Sequence, residues 1–385
     1  MVMGKIRILV LAFACMLGLA KAQDAPIFES KAAEAILIDA KSGIVLYEKD
    51  ADTAVPPASM SKLITQTIVF DALKAGTLKL DQEFIVSTDA WRRGGGAAGG
   101  STMYAEVNSR IKVDDLIHAA IIQSANDACI VLAEGMSGSE QAFTQRMANK
   151  AKELGLKNST FANATGLPDP NHKMSVRDLS IVARYIITNH PDYYKIYGQP
   201  EFLWNKINQQ NRNPLLKDYP GADGMKTGYT KEAGYGLVGS ALRDGRRLIL
   251  VVAGLPSIND RKAEAQKLMD WGFGQFKVIE VYGQGEIVSR ARVWGGAEHW
   301  VNLVVHDAMK VALSPAEQDR AEVKMSYSGP LMAPVKAGQA VGTVRILIDG
   351  KAVADAPLEV AEDVPAVENM WKKAWDSVLI MAFGG

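Results

Sequence analysis

The stretch that most constrains the fold is Leu63-Ile64-Thr65-Gln66-Thr67-Ile68-Val69-Phe70, which is apolar nearly all round. A helix of that kind has no broad face to offer water, so it belongs inside a layered domain, enclosed by other elements. Its entry is Pro56-Pro57-Ala58-Ser59-Met60-Ser61-Lys62. Proline fixes φ and is tolerated in a first turn, which suits the start of a helix. Residues i and i+3 share a helix face, so Ser59 and Lys62 meet if the helix begins here. A lone hydroxyl is a weak nucleophile and needs a neighbour to accept its proton. The N–H groups at the end of a buried helix also favour a developing oxyanion. The spacing alone is common. Ser109-Arg110-Ile111-Lys112 fits the same S-x-x-K template, lacks an apolar helix behind it, and carries no catalytic weight.

The N-terminus reads as a secretory signal over residues 1–22. Lys5 and Arg7 precede the apolar run Ile8 to Leu19, and Ala20-Lys21-Ala22 places small residues at −3 and −1. The run is shorter than the roughly 20 residues that span a bilayer. Cys15 lies within that segment, which leaves Cys129 alone in the mature chain, so no internal disulfide can form. Cys129 sits in Ala128-Cys129-Ile130-Val131-Leu132 and reads as a buried, inert thiol. With 385 residues, 48% of them hydrophobic and the charges balanced, the chain is long enough for two domains and has no nucleic-acid footprint.

Ala35 to Asp39 and Ile44 to Glu48 flank Ala40-Lys41-Ser42-Gly43 as a β-hairpin. Gly94-Gly95-Gly96-Ala97-Ala98-Gly99 matches G-x-G-x-x-G without the strand and helix that a dinucleotide site needs, and is read as a mobile loop. Val113 to Val131 is predicted helical with a break at Ser124-Ala125-Asn126-Asp127. Ser124 and Asn126 either face one cleft or cap helices. Glu140 to Leu154 is an amphipathic helix. Ser175 to Ile187 is another, with Ser175 as N-cap and Asp178 at the capping-box position, and a loop spans Asn163 to Lys173 between them. Gly224-Met225-Lys226-Thr227-Gly228-Tyr229 precedes two runs, Gly234 to Ala241 and Arg246 to Gly254, that read as adjacent antiparallel strands. On a strand edge, Lys226 and Thr227 suit an anionic terminus and Gly228 admits a ligand backbone. A solvated lysine beside a turn is the plainer reading. Ser257-Ile258-Asn259 repeats S-x-N in an expected loop, and Ala263 to Phe276 is a further helix.

Beyond Lys277 the texture becomes short alternating runs, with Asp349-Gly350 as a hairpin signal, so a separate small all-β domain is expected over 277–364 after a domain at 23–276. Over 365–385, Val367, Met370, Trp371, Ala374, Trp375, Val378, Leu379 and Phe383 follow helical spacing. The pattern fits an amphipathic helix lying in a membrane surface, or one packed on the protein itself.

Ser59-x-x-Lys62, Ser124-x-Asn126 and Lys226-Thr227-Gly228 occur in that order at domain-scale spacing. With Pro57 to Leu63, Ser124 to Cys129, Asn211-Arg212-Asn213 and Gly224 to Gly228, the mature sequence resembles the low-molecular-weight penicillin-binding proteins that are D-alanyl-D-alanine carboxypeptidases. The resemblance implies an α/β (α+β) penicillin-recognition domain, with helices packed on an antiparallel sheet. It implies peptidoglycan stem peptides as substrate and β-lactams as covalent inhibitors, on the periplasmic face of the inner membrane. Ser59 would be the nucleophile and Lys62 its base, depressed by burial and by Lys226. Ser124 would relay a proton and Asn126 would hold the peptide amide. The N–H groups of Ser59 and Tyr229 would form the oxyanion hole. Lys226, Thr227, Arg212 and Arg247 would bind the terminal carboxylate. Tyr229 stands where some relatives carry histidine. No metal or other cofactor is expected, and the five histidines lack H-E-x-x-H spacing. A class A β-lactamase would need a deacylating glutamate, and Asn163 to Lys173 contains none. A D,D-endopeptidase cutting cross-links would share all three motifs. A silent wall-binding module would have no use for the intact set.

Overall fold

The computed structural model describes residues 9–10, 28–368, 370, 371, 374 and 377. The chain divides into two compact units at Gly274/Gln275.

The first unit is built on a five-stranded antiparallel sheet. Its strand order is Val45–Lys49, Glu34–Asp39, Arg246–Leu255, Gly234–Arg243, Ala222–Thr230. Alternate residues of a strand point to opposite faces, and here both faces are covered. Ile36, Ile38, Ile249 and Val251 join the core shared with the central helix Lys62–Lys74 and the helices Asn126–Ser137 and Val176–Asn189. Ala35, Leu37, Leu248, Leu250 and Val252 join Ala265, Leu268 and Met269 of the helix Ile258–Gln275 on the other face. This double burial is why the strands read as continuous apolar runs. The central helix is enclosed as its composition requires, with Leu63 to Phe70 all buried.

Several local expectations are refined. The helix does not begin at Ser59: Ala58–Ser61 form a 3-10 turn and the α-helix starts at Lys62. The glycine-rich stretch is not simply a loop. Gly94 closes the helix Thr88–Gly94, and a Cβ there would stand 2.3 Å from the Asp127 nitrogen, so the absence of a side chain lets that helix end pack on the Ser124–Asp127 turn. Gly96–Ala98 form a 3-10 turn. Ser175 caps its helix through the Asp178 N–H, but the Asp178 carboxylate accepts from Lys157 N, Asn158 N and Ser159 Oγ instead of completing a capping box. The last helix of this unit starts at Ile258, five residues ahead of the expected Ala263, because Ser257 caps it by accepting from the Asp260 N–H.

The second unit is β-rich. The strand order of its main sheet is Ala321–Tyr327, Ala340–Ile348, Lys351–Val360, Trp300–Val305, Ile287–Trp294, Leu331–Met332, with Leu9–Val10 beside the first. Asp349 and Gly350 both have positive φ and join Ile348 to Lys351 as a tight hairpin. Val301, Leu303, Val344, Ile346 and Leu358 lie in its core. Of the expected C-terminal stripe, Met370, Trp371 and Ala374 are helical, whereas Val367 lies ahead of the helix and donates its N–H to the Gly295 carbonyl. Trp375, Val378, Leu379 and Phe383 lie outside the described residues, as does the expected signal 1–22 apart from Leu9–Val10. Among the described residues no helix is long and apolar enough to cross a membrane.

Candidate active site

The site lies where the 3-10 turn Ala58–Ser61 meets the sheet's edge strand Ala222–Thr230. Two glycines permit that approach. A Cβ on Gly228 would stand 3.0 Å from Met60 Cγ and from the Pro57 carbonyl oxygen, and one on Gly236 would stand 2.5 Å from Met60 Cε. The space beside Gly228, expected for a ligand backbone, is thus taken by the protein's own Pro57–Met60 segment.

Lys62 is buried, and its Nζ lies 2.8 Å from Ser59 Oγ, 2.8 Å from Asn126 Oδ1 and 2.5 Å from the Thr165 carbonyl oxygen. As an ammonium it donates three hydrogen bonds. As a neutral amine it keeps two N–H donors for Asn126 and Thr165 and turns its lone pair to the Ser59 hydroxyl. Burial lowers Lys62 to about 8, and the Arg212 cation adds to the effect. The expected neighbour, Lys226, is itself buried and pushed well below the lysine range, by burial first and then by Lys62. Cys129 is fully buried and pushed up to about 11, which keeps it an inert thiol.

The Thr165 carbonyl is presented by a short rigid loop. Asn163 Oδ1 accepts from Thr165 N, Thr165 Oγ1 and Gly166 N, and Asn163 Nδ2 donates to the Leu167 carbonyl. Gly166, at φ +79, lies so close to the Ala58 carbonyl that an added Cβ would stand 1.9 Å from its oxygen. The Ser124–Asn126 turn follows a five-residue π-helical segment, Ala119–Gln123, a feature that recurs at functional sites. Ser124 has φ +64, a strained conformation for a serine, and its Oγ is buried without a hydrogen-bond partner among the described residues. Asp127 anchors the turn by accepting from Thr102 Oγ1 and from the N–H groups of Met103, Ala105 and Ala128.

These groups open onto a cleft of about 570 Å³. Ser59, Ser124, Asn126, Thr227, Gly228, Tyr229 and Arg212 line it, together with Gly99–Ser101, Gly166 and Arg261. Arg212 donates to Ser101 Oγ at 2.5 Å. Arg261 was not expected from the sequence. Its guanidinium lies over the Tyr235 ring, which stacks on Tyr229 with centroids 4.2 Å apart, and its Nε is buried without a partner among the described residues. The signal that would have found it is Ser257-x-x-Asp260, a helix start that puts Arg261 in the first turn. Arg247 needs correction: it does not line the cleft. It pairs through both guanidinium nitrogens with Asp223, at 2.6 Å each, and also donates to Tyr194 and Ser240. An arginine so occupied has no fork left for a ligand.

A single cleft thus holds a serine on a buried lysine, a strained second serine and a surplus of cations. Residues 19–257 match the family model described as D-alanyl-D-alanine carboxypeptidase. The chain belongs to the D-alanyl-D-alanine carboxypeptidase family. Residues 276–366 match a second model, the C-terminal domain of penicillin-binding protein 5. Among members of the family, D-alanyl-D-alanine carboxypeptidase DacC of Escherichia coli is 38% identical over 90% of this chain and 87% of its own. Penicillin-binding protein 5 from Haemophilus influenzae superposes with a TM-score of 0.80 at 36% identity, covering 90% of this chain and all of that one. Penicillin-binding protein D2 of Listeria monocytogenes, solved with ampicillin bound, matches 65% of this chain and all of its own, with a TM-score of 0.58 and 31% identity. The extent of the carboxypeptidase-family match agrees with the fold described above, a helix-covered antiparallel sheet followed by an all-β unit.

Proposed function

We propose that this protein is a serine-type D-alanyl-D-alanine carboxypeptidase that removes the terminal D-alanine from peptidoglycan stem peptides. The observation that carries the reading is the Lys62 amine, buried 2.8 Å from Ser59 Oγ and oriented by two oxygen acceptors. Neutral Lys62 takes the Ser59 proton as Oγ attacks the carbonyl between the two D-alanines. The resulting oxyanion meets the N–H groups of Ser59 and Tyr229, the latter on the sheet's edge strand, where alternate N–H groups have no strand partner. Ser124 hands a proton to the leaving amine, and Asn126 holds the substrate amide. The terminal carboxylate is received by Thr227, Lys226 and Arg212, with Arg261 in the place expected for Arg247. D-alanine leaves, and water then hydrolyses the ester on Ser59. β-Lactams acylate the same oxygen.

The same proposal extends to location. Residues 1–22 direct export, and the chain works at the periplasmic face of the inner membrane. The segment 365–385 reaches the membrane surface through its amphipathic helical part, which includes Met370 and Trp371. Met370 and Trp371, 79% and 86% exposed, support a helix that offers apolar side chains outward.

The test is to incubate the protein with a peptide ending in D-Ala-D-Ala, a cross-linked muropeptide and penicillin. Release of D-alanine with slow penicillin turnover is expected. Rapid penicillin hydrolysis without D-alanine would mark a β-lactamase, and cleavage of the cross-link alone a D,D-endopeptidase. Penicillin labelling that survives Ser59→Ala would remove Ser59 as nucleophile. Deleting 365–385 should free the protein from membranes with activity intact, and continued attachment would defeat the anchor.

A further inference from the structure

Glu140 lies outside the cleft and is tied to two of its walls. It is the first residue of the helix Glu140–Glu153, and its side chain is only 11% exposed. Oε1 accepts from the Ala164 N–H at 2.9 Å. Oε2 pairs with Arg93 at 2.8 Å. Arg93 sits in the last turn of Thr88–Gly94, the helix that runs into the Gly99–Ser101 wall. The peptide group on the other side of the Ala164 Cα is held as well, because Thr65 Oγ1 donates to the Ala164 carbonyl at 2.8 Å. The next carbonyl along, that of Thr165, is the one that accepts from Lys62.

A residue held at both its N–H and its C=O has its two flanking peptide planes fixed, and only φ and ψ of Thr165 then separate the second plane from the Thr165 carbonyl. The same loop packs Gly166 onto the Ala58 carbonyl and so helps to exclude water from Lys62. We infer that Glu140 is a positioning residue for the reaction: its grip on Ala164 keeps the Thr165 carbonyl on Lys62 and water off the amine. This inference rests on the reading of Lys62 as base. The plainer role for an acid at this place is to favour the helix N-terminus through its charge. The two roles make opposite demands. Positioning needs an oxygen at the right reach, whereas helix stabilisation needs a negative charge and tolerates a shorter arm.

The titratable groups that surround Lys62 are Cys129 and Asp127 on the helix Asn126–Ser137, Arg212, Lys226 on the edge strand, and His172 in the 163–173 loop. Substitution at Glu140 changes none of these residues, although the Glu140 charge also acts on Cys129, so Gln and Ala share the loss of that charge and differ in the acceptor. The experiment measures the acylation rate by benzylpenicillin against pH for the full chain and for Glu140→Gln, Glu140→Asp and Glu140→Ala, with thermal unfolding of each. Gln keeps an acceptor for the Ala164 N–H, so its acid limb is expected to coincide with wild type and its rate to stay within about threefold. Asp is one methylene short. Asp and Ala are expected to slow acylation at neutral pH by about tenfold or more and to move the acid limb to higher pH, as water reaches Lys62. An Asp variant with the wild-type acid limb, or a Gln variant displaced as far as Ala, would overturn the inference. If Ala fails to fold, the Gln and Asp contrast still decides. A wild type with no acid limb at all would remove the base reading itself, an outcome distinct from variants that coincide with a titrating wild type.

Discussion

If Lys62 is the base, the acylation rate is a titration curve whose position the structure supplies. Burial moves Lys62 from 10.5 to about 8. At pH 7 about a tenth of the protein then carries the neutral amine, against about 3 in 10,000 for a lysine left at 10.5, so burial enlarges the reactive fraction about 300-fold. The perturbation is pH, and the assay is stopped-flow acylation of Ser59 by a chromogenic β-lactam at limiting concentration. The second-order constant is expected to rise tenfold per unit from about pH 6, bend near pH 8 and level off. Lys62→Arg cannot deprotonate in this range and is expected to stay low throughout.

Burial of the charge also enters stability, with a definite sign. Between pH 8 and pH 10.5 the unfolded chain holds a proton on Lys62 that the folded one has released, so stability rises with pH across that window. Below pH 8 both states are protonated and the full cost, about 3 kcal/mol, is present. Urea unfolding of wild type and Lys62→Met reports it, together with the change at Lys226, His172 and Cys129, whose titration Lys62 influences. The difference between the two is expected to narrow in favour of wild type from about pH 8 upward. A pH-independent acylation rate over that range, or a midpoint close to an ordinary lysine's, would refute the assignment of Lys62 as a buried base.

Four other outcomes follow from the structure. Gly166→Ala places a methyl 1.9 Å from the Ala58 carbonyl oxygen at φ +79, and should cost about 3 kcal/mol in urea unfolding and slow acylation by displacing Ser59. Arg261→Met should raise KM for peptides with a free terminal carboxylate and leave stability nearly unchanged. Arg247→Met should do the reverse, losing about 2 kcal/mol with its Asp223 pair while KM stays near wild type. Lys226 is pushed well down by burial, so an incoming carboxylate should draw its proton back. Calorimetry of a non-reactive D-Ala-D-Ala analogue in buffers of different ionisation enthalpy should register proton uptake, and its absence would mean that Lys226 is already charged.

Much of the site was legible because its chemistry is local. Ser59 and Lys62 lie on one turn, Ser124 and Asn126 flank one break, and Lys226, Thr227 and Gly228 are consecutive, so backbone dihedrals alone hold each group together. The buried helix Leu63 to Phe70 announced a layered domain, and the Asp349-Gly350 turn announced a hairpin in the β-rich unit. Other features could not be read this way. The Thr165 carbonyl comes from 103 positions beyond Lys62, and a backbone oxygen has no residue-type signature. Glu140 looks like any acid at a helix start. Arg247 and Arg261 are equivalent as letters, yet the sheet sends one to Asp223 and the helix starting at Ile258 sends the other to the cleft.

Sequence therefore determined which chemistries were present and which short-range partners they had, since those depend on covalent spacing and on the period of helix and strand. Only the tertiary structure decided which arginine lines the cleft and that burial depresses Lys62. It also decided what crowds Gly228, where a Cβ would press on Met60 and the Pro57 carbonyl. Each of these depends on what packing places alongside a residue, and on how much water that packing removes.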